Sequence, residues 1–275
     1  MIKKIVIPAA GVGSRLLPMT KEIPKEMMPL FIKDKSGENI VKPLIQILFE
    51  GFYKYGLREF CIIVGKQKRT IEDHFTSDYA FLSNLNSSPA KKDLEKFYAL
   101  LNKSKIFWIN QQKPKGFGDA VLYAESFIGD EDFLVTAGDT LIPNNDKIIH
   151  KLLHTKLKEK NDAILLLKEV PNPKPFGVAV LKNTKNGPLI KYVEEKPSHP
   201  KSNLSIVALY RFRPSIFEAL KEIKTNKKDL QLTDGIQRLI DWGGKIYPLI
   251  LDKKDVVIDI GTSSSYLENF YRLQK

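Results

Sequence analysis

Apolar runs of strand length recur at residues 4–9, 59–64, 105–109, 132–136 and 163–168. Runs this short and this rich in Ile, Val and Leu favour buried strands. Between them, residues 42–55 carry Leu44, Ile45, Leu48, Phe49 and Phe52 at helical spacing, and residues 146–158 repeat the pattern through Ile148, Ile149, Leu152, Leu153 and Leu157. Alternation of strand and helix predicts a mainly parallel sheet with helices on both faces. Ligands are then expected just beyond the carboxyl ends of the strands.

The pattern changes after Pro171. Residues 177–182, 188–194 and 203–212 read as strands joined by loops with no helix between them. Helices resume at 214–221 and 232–241, followed by strands at 246–251 and 256–258 and a last helix at 263–273. The fold class is therefore α/β: a Rossmann-like, mostly parallel sheet flanked by helices, with a smaller antiparallel subregion. No repeat, low-complexity tract or linker interrupts residues 1–275, so one domain is expected.

Composition narrows the class without choosing a function. Apolar residues at 43% and aromatics at 10% are ordinary for a globular protein. No apolar run approaches the ~20 residues needed to cross a bilayer, and the opening run stops at Pro8, short of a signal-peptide core. Cytoplasmic residence and no membrane partner are expected. The one cysteine, Cys61, lies in a strand pattern and reads as a small apolar filler. A net charge of +12 favours anionic partners. Much of that charge lies on helices that read as solvated, and no dense basic block or nucleic-acid motif is present, so nucleic acid is not an expected partner.

The first strand runs into Ala10-Gly11-Val12-Gly13-Ser14-Arg15. Small residues after a strand let backbone N–H groups approach a phosphate or a base. Leu16 stands where a dinucleotide fingerprint needs a third small residue, and the Gly-Lys-Ser/Thr ending of a P-loop is absent. Pro18 and Pro24 oppose a continuous helix, which leaves an ordered loop carrying Arg15, Lys21 and Lys25. Fixed cations rooted at a strand end suit a triphosphate, the alternative being a solvated basic loop.

The run Gly11-x-Gly13-Ser14-Arg15-x-x-Pro18-x-Thr20-Lys21-x-x-Pro24-Lys25-Glu26-Met27 resembles the signature of the sugar-1-phosphate nucleotidyltransferases. Its second half resembles the UTP–glucose-1-phosphate uridylyltransferase branch. Further similar blocks follow in order, among them Gln111-x-x-x-x-Gly116, Gly138-Asp139, Glu194-Glu195-Lys196-Pro197, Gln231-Leu232-Thr233-Asp234 and Asp259-Ile260-Gly261.

The resemblance implies a nucleotide-binding part at about residues 1–140 and a sugar-phosphate-binding part at about 141–275. The nucleotide would be held by Ala10, Gly11, Gly13, Ser14, Glu26, Gln111 and Gly116, with Arg15 and Lys25 as the catalytic cations on the triphosphate. Gln112 is as amidic as Gln111, and only spacing to Gly116 favours the latter. Gly177, Glu195 and Lys196 would hold the sugar phosphate. Adjacent strand residues point to opposite faces, so Glu195 and Lys196 can serve one ligand only where the strand ends or bends. Asp139 and Asp259 would hold Mg²⁺ together with phosphate oxygens and water, although a strand-end aspartate also caps turns.

Expected substrates are UTP and glucose 1-phosphate, with dTTP as an alternative nucleotide. A non-catalytic relative is opposed by the retention of all the charged residues. A homo-oligomer, dimer or tetramer, is implied, with Lys33 to Asn39 an insertion able to alter subunit contacts. His150 and His154, four apart on a predicted helix, lack the adjacent glutamate of a zinc-protease motif and are not assigned to metal.

Overall fold

The computed structural model describes residues 2–33, 37–143, 145–223 and 229–273. The first half contains β1 (Lys4–Ala9), β2 (Pro29–Lys33), β3 (Asn39–Pro43), α1 (Leu44–Lys54), β4 (Glu59–Val64), α2 (Arg69–His74), α3 (Tyr79–Ser83), α4 (Pro89–Leu101), β5 (Lys105–Asn110), α5 (Phe117–Leu122) and α6 (Glu125–Ile128). Then come β6 (Phe133–Thr136), β7 (Thr140–Leu141), α7 (Asp146–His154), β8 (Ala163–Glu169), β9 (Gly177–Thr184), β10 (Gly187–Glu195) and β11 (Leu204–Phe212). The chain closes with α8 (Ser215–Glu222), α9 (Leu232–Asp241), β12 (Ile246–Ile250), β13 (Ile258–Asp259) and α10 (Ser263–Leu273).

Nine strands form one sheet in the order β5-β4-β1-β6-β11-β8-β12-β10-β9. Pairing is parallel from β5 through β6 and again between β8 and β12, while β11 runs antiparallel between β6 and β8. The antiparallel β9–β10 hairpin completes the far edge. The expected antiparallel subregion is thus continuous with the parallel part.

Alternate strand residues explain the unbroken apolar runs. Ile5, Ile7, Phe60 and Ile62 feed the core under α1, whereas Val6, Cys61 and Ile63 feed the opposite core under α5, α8 and α9. Burial on both faces removes any reason for polar residues to alternate. Phe49 of α1 anchors the first core, with ring centroids 4.7 Å from Phe60, 5.4 Å from Phe75 and 5.8 Å from Phe97.

Two expected helices are shorter than their patterns. The first begins at Leu44, because Asn39–Pro43 pairs with Pro29–Lys33 as a hairpin that draws Lys42 and Pro43 into a strand. The second stops at His154, where Thr155 turns extended and its N–H bonds back to Lys151. Of the insertion at the hairpin tip, residues 34–36 lie outside the described residues, and the flanking Lys33 and Asn39 pair. Between β1 and β2 the chain makes three tight turns, Ser14–Leu16, Met19–Lys21 and Lys25–Met27, as its prolines require. Leu16 and Met28 pin this loop into a third apolar cluster with Leu30, Leu44, Ile258 and Ile260.

Candidate active site

The turn after β1 is shaped by what its glycines lack. Gly13 sits at φ 70°, and a Cβ there would lie 3.1 Å from Thr20 Cβ. Thr20 in turn donates a 2.7 Å hydrogen bond to the Gly13 carbonyl, closing the loop on itself. A Cβ at Gly11 would stand 3.8 Å from Lys25 Cε, so the glycine turn and the lysine are neighbours. Ser14 and Arg15 are exposed on the first tight turn.

Lys25 crosses from this loop to donate to Asp139, which follows β6. Burial alone would lower the lysine's proton affinity, but Asp139, Glu26 and Asp259 outweigh it and hold the pKa above its ordinary value. Lys25 is therefore a fixed cation. Glu26 is buried and ion-paired at 2.9 Å with Lys68, itself buried in the loop after β4. Burial pushes the Glu26 carboxyl up, while Lys68 and Lys25 oppose that rise.

Asp139 and Asp259 are brought together by a small sheet. Asp259 of β13 pairs with Thr140 of β7, and the Ile260 N–H donates to the Asp139 carbonyl at 3.1 Å. Asn269 of α10 holds the Asp259 carbonyl at 3.0 Å. Burial, reinforced by Asp139, raises the Asp259 carboxyl to about 6 despite Lys25 and Arg15. Arg15 approaches from the loop: a Cβ at Gly261 would lie 3.2 Å from Asp259 Oδ2 and 3.5 Å from Arg15 Nη2. Two carboxylates and two cations from distant segments converge here.

Asp139 and Asp259 open onto a cavity of about 600 Å³, which Gly177, Glu195 and Lys196 also line. Gly177 and Glu195 are paired across β9 and β10. Lys196, the next residue, adopts φ 42°, and its N–H bonds to the Phe176 carbonyl at 3.0 Å. That left-handed step breaks strand alternation, which is how two consecutive side chains reach one cavity. The register shift of β11 against β8 between Val207 and Tyr210, both cavity-lining, re-aims the floor in the same way.

Beyond β5, Gln111 is buried and Gln112 exposed. Gln111 Nε2 donates to Asp119 Oδ2 at 2.6 Å, so its carboxamide is held in one orientation. Gly116 caps α5 at φ 102°, and a Cβ there would stand 2.3 Å from the Leu230 carbonyl. Its neighbours Lys115 and Gly118 bond to the Leu230 backbone at 2.7 and 2.9 Å. Gly116 is thus a close-packing point between the starts of α5 and α9, a role that spacing does not reveal. Ala10 packs against the loop after β4, where a Cβ at Gly65 would lie 3.0 Å from its carbonyl oxygen.

The nucleotidyl transferase sequence profile matches residues 4–275. The chain belongs to that family. Among relatives of this nucleotidyltransferase, the UTP–glucose-1-phosphate uridylyltransferase of Mycoplasma pneumoniae is 32% identical over 283 aligned positions, spanning 100% of this chain and 93% of that protein. That of Bacillus subtilis is 36% identical, spanning 86% of this chain and 80% of its own length. The crystal structure of a UDP-glucose pyrophosphorylase complexed with UDP-glucose superposes with a TM-score of 0.80 at 30% identity, spanning 100% of both chains.

The candidate site also contains residues that sequence reading does not single out. Lys68 and Asp119 hold Glu26 and Gln111, and Lys168, Thr233 and Arg272 line the cavity. Thr233 lies in a block already similar to the family's, a signal available in sequence. The others come from strand ends and helices whose approach only the fold reveals. His150 and His154 face each other on α7 with ring centroids 4.2 Å apart, away from the cavity lining.

Proposed function

We propose that this nucleotidyltransferase makes UDP-glucose and pyrophosphate from UTP and glucose 1-phosphate. The observation that carries the reading is the meeting of Lys25 and Arg15 with Asp139 and Asp259 at a cavity also lined by Glu195 and Lys196. The names of the similar proteins from Mycoplasma pneumoniae and Bacillus subtilis support the choice of nucleotide and sugar.

In this reading residues up to about 140 bind UTP and the remainder binds the sugar phosphate. Ala10, Gly11, Gly13, Ser14, Glu26, Gln111 and Gly116 form the nucleotide side, and Gln111, with its N–H held by Asp119, presents its carbonyl oxygen as an acceptor. Glu195 accepts from sugar hydroxyls, the flat backbone at Gly177 admits the pyranose, and Lys196 orients the attacking phosphate. A phosphate oxygen of the sugar forms the new bond to the α-phosphorus while the bond to pyrophosphate breaks. Arg15 offers a planar fork and Lys25 a compact charge to the oxygens where negative charge grows. No protein nucleophile is required.

The donor set fits Mg²⁺. Among the described residues no group of three or more His, Cys, Asp or Glu side chains could cage a metal. Two carboxylates facing a site for phosphates are instead what Mg²⁺ uses, since it keeps water and substrate oxygens. Asp139 and Asp259 would hold it, and it would supply charge neutralisation at the phosphates. Among the described residues no helix is long and apolar enough to cross a membrane. The reading places the enzyme in the cytoplasm, in keeping with its nucleotide and phosphorylated-sugar substrates. Exposed Val41, Leu267 and Tyr271 on β3 and α10 support a homo-oligomer.

The test is Asp139→Asn assayed with UTP and, separately, dTTP against glucose 1-phosphate. Loss of at least 100-fold in turnover with an unchanged circular dichroism spectrum is expected, roughly what removing a charge-stabilising group costs. Wild-type turnover in the variant would defeat the site, and faster wild-type turnover with dTTP would defeat the choice of UTP.

A further inference from the structure

Lys168 is a cation in the cavity that the proposed reaction does not use. Side chains alternate along β8, so Ile164 and Leu166 enter the core under α1 and Lys168 is the next residue on that face. It stands half-buried at the carboxyl end of the strand and lines the cavity, where an α/β sheet places its ligands. One ammonium hydrogen goes to the Asp255 carbonyl. A lysine ammonium has three hydrogens, so two remain for a ligand.

A second cation comes from α10. Arg272 lines the same cavity, close enough for its charge to act on Lys168. Burial first, then Arg272, lowers the Lys168 pKa from its ordinary value, and the Asp255 carboxylate only partly opposes them. The carboxylates nearby are engaged elsewhere. Glu268 pairs with Arg272, Glu169 reaches Lys253 at 4.0 Å, and the Asp255 side chain accepts from the Asp252 N–H at 2.8 Å. Among the described residues none forms a salt bridge with Lys168. Two like charges in a half-buried site disfavour each other, and an anion between them removes that cost.

Gly177, Glu195 and Lys196 line this cavity as well. A sugar phosphate held there shares its cavity with both further cations. A neutral hexose leaves them unanswered. A hexose with a carboxylate in place of its primary alcohol answers them, because a carboxylate accepts charge-assisted hydrogen bonds from an ammonium and from the planar fork of an arginine.

We infer that Lys168 and Arg272 form an anion subsite of the sugar cavity, through which the enzyme also accepts uronic acid 1-phosphates. A phosphate oxygen of the uronic acid 1-phosphate bonds to the α-phosphorus of UTP, the bond to pyrophosphate breaks, and the carboxylate is a spectator. The inference rests on the proposed sugar-phosphate role of Glu195 and Lys196.

The experiment measures kcat/KM for glucose 1-phosphate and for glucuronic acid 1-phosphate, each with UTP. It uses wild type, Lys168→Met, Lys168→Arg and Arg272→Met, with a thermal melt of each. The wild-type value for the acidic sugar is expected to reach at least about a tenth of that for glucose 1-phosphate, the ratio by which an enzyme discriminates substrates. Lys168→Met should lower the acidic-sugar value about 10–100-fold, the loss of one charge-assisted hydrogen bond, and leave the glucose 1-phosphate value within about threefold. Lys168→Arg keeps the charge and recovers most of that loss. Arg272→Met, at a more exposed position, should lower the acidic-sugar value about threefold.

An acidic-sugar value below that mark in the wild type, beside normal turnover of glucose 1-phosphate, overturns the inference and leaves the proposed function standing. No turnover of either sugar defeats the proposed function itself. Equal losses on both sugars in Lys168→Met overturn the inference and assign the lysine to holding the Asp255 segment. A raised KM for pyrophosphate in the reverse reaction, with the acidic sugar unaffected, overturns it in favour of a leaving-group role for the two cations.

Discussion

Replacing Asp259 by asparagine should make the metal-free protein more stable while removing its activity. Burial and the neighbouring Asp139 raise the carboxyl from an ordinary 3.8 to about 6. Because the folded-state pKa lies above the unfolded one, the group's stabilising contribution is complete below about 3.8 and lost as pH rises through about 6. At pH 7.5 the fold then bears a cost of about 3 kcal/mol for keeping Asp259 ionised. An asparagine at this position cannot ionise, so the variant escapes that cost. Urea unfolding without divalent cation, from pH 4.5 to 8, should find Asp259→Asn about 1–3 kcal/mol more stable than wild type at pH 7.5. The advantage should shrink as pH falls below about 6. Adding Mg²⁺ with UTP should reverse the order in favour of the wild type, since ligands stabilise the state that binds them. A variant less stable than wild type at pH 7.5, or a difference that ignores pH, would refute the reasoning.

Other consequences follow from buried pairs and close contacts. Lys68→Met leaves the Glu26 carboxylate buried without its ion-pair partner and should cost about 3–5 kcal/mol in urea unfolding; Lys68→Met/Glu26→Gln should recover much of it, and an equally unstable double variant would argue against the pair. Gly116→Ala must move the Leu230 carbonyl or abandon φ 102°, so the melting temperature should fall by an amount reflecting about 1–3 kcal/mol of strain, with KM for UTP rising; an unchanged melt would contradict the contact. Burial depresses His74 from 6.5 to about 4, so its contribution is present above about 6.5 and lost as pH falls through about 4, at most about 3 kcal/mol. His74→Gln should flatten the stability curve across that window, and an unaltered slope would reject the assignment.

What sequence could and could not reveal follows from how local each signal is. The strands β1, β4 and β8 and the helix α9 are fixed by apolar runs whose spacing is a property of neighbouring residues. The β2–β3 hairpin lacks such a signal because Pro29 and Pro43 bound short, half-polar strands. Arg15, Lys25, Asp139 and Asp259 could be named from strand ends and family-like blocks. Their convergence depends on the order of β1 and β6 in the sheet and on β13 returning to β7. Lys68 and Asp119 carry no motif, and their importance lies wholly in the partners the fold brings to them. Lys196 is the case where a local argument reached a three-dimensional result: two adjacent residues on one ligand require a strand to break alternation, and the backbone does so at that residue.

The central claim is that the chain transfers a uridylyl group to glucose 1-phosphate, and ³¹P NMR of one reaction tests it directly. Purified protein with UTP, glucose 1-phosphate and Mg²⁺ should produce UDP-glucose and pyrophosphate in equal amounts, and neither should form when glucose 1-phosphate is omitted. Unchanged UTP in the complete mixture, or phosphate release that does not depend on the sugar phosphate, would contradict it.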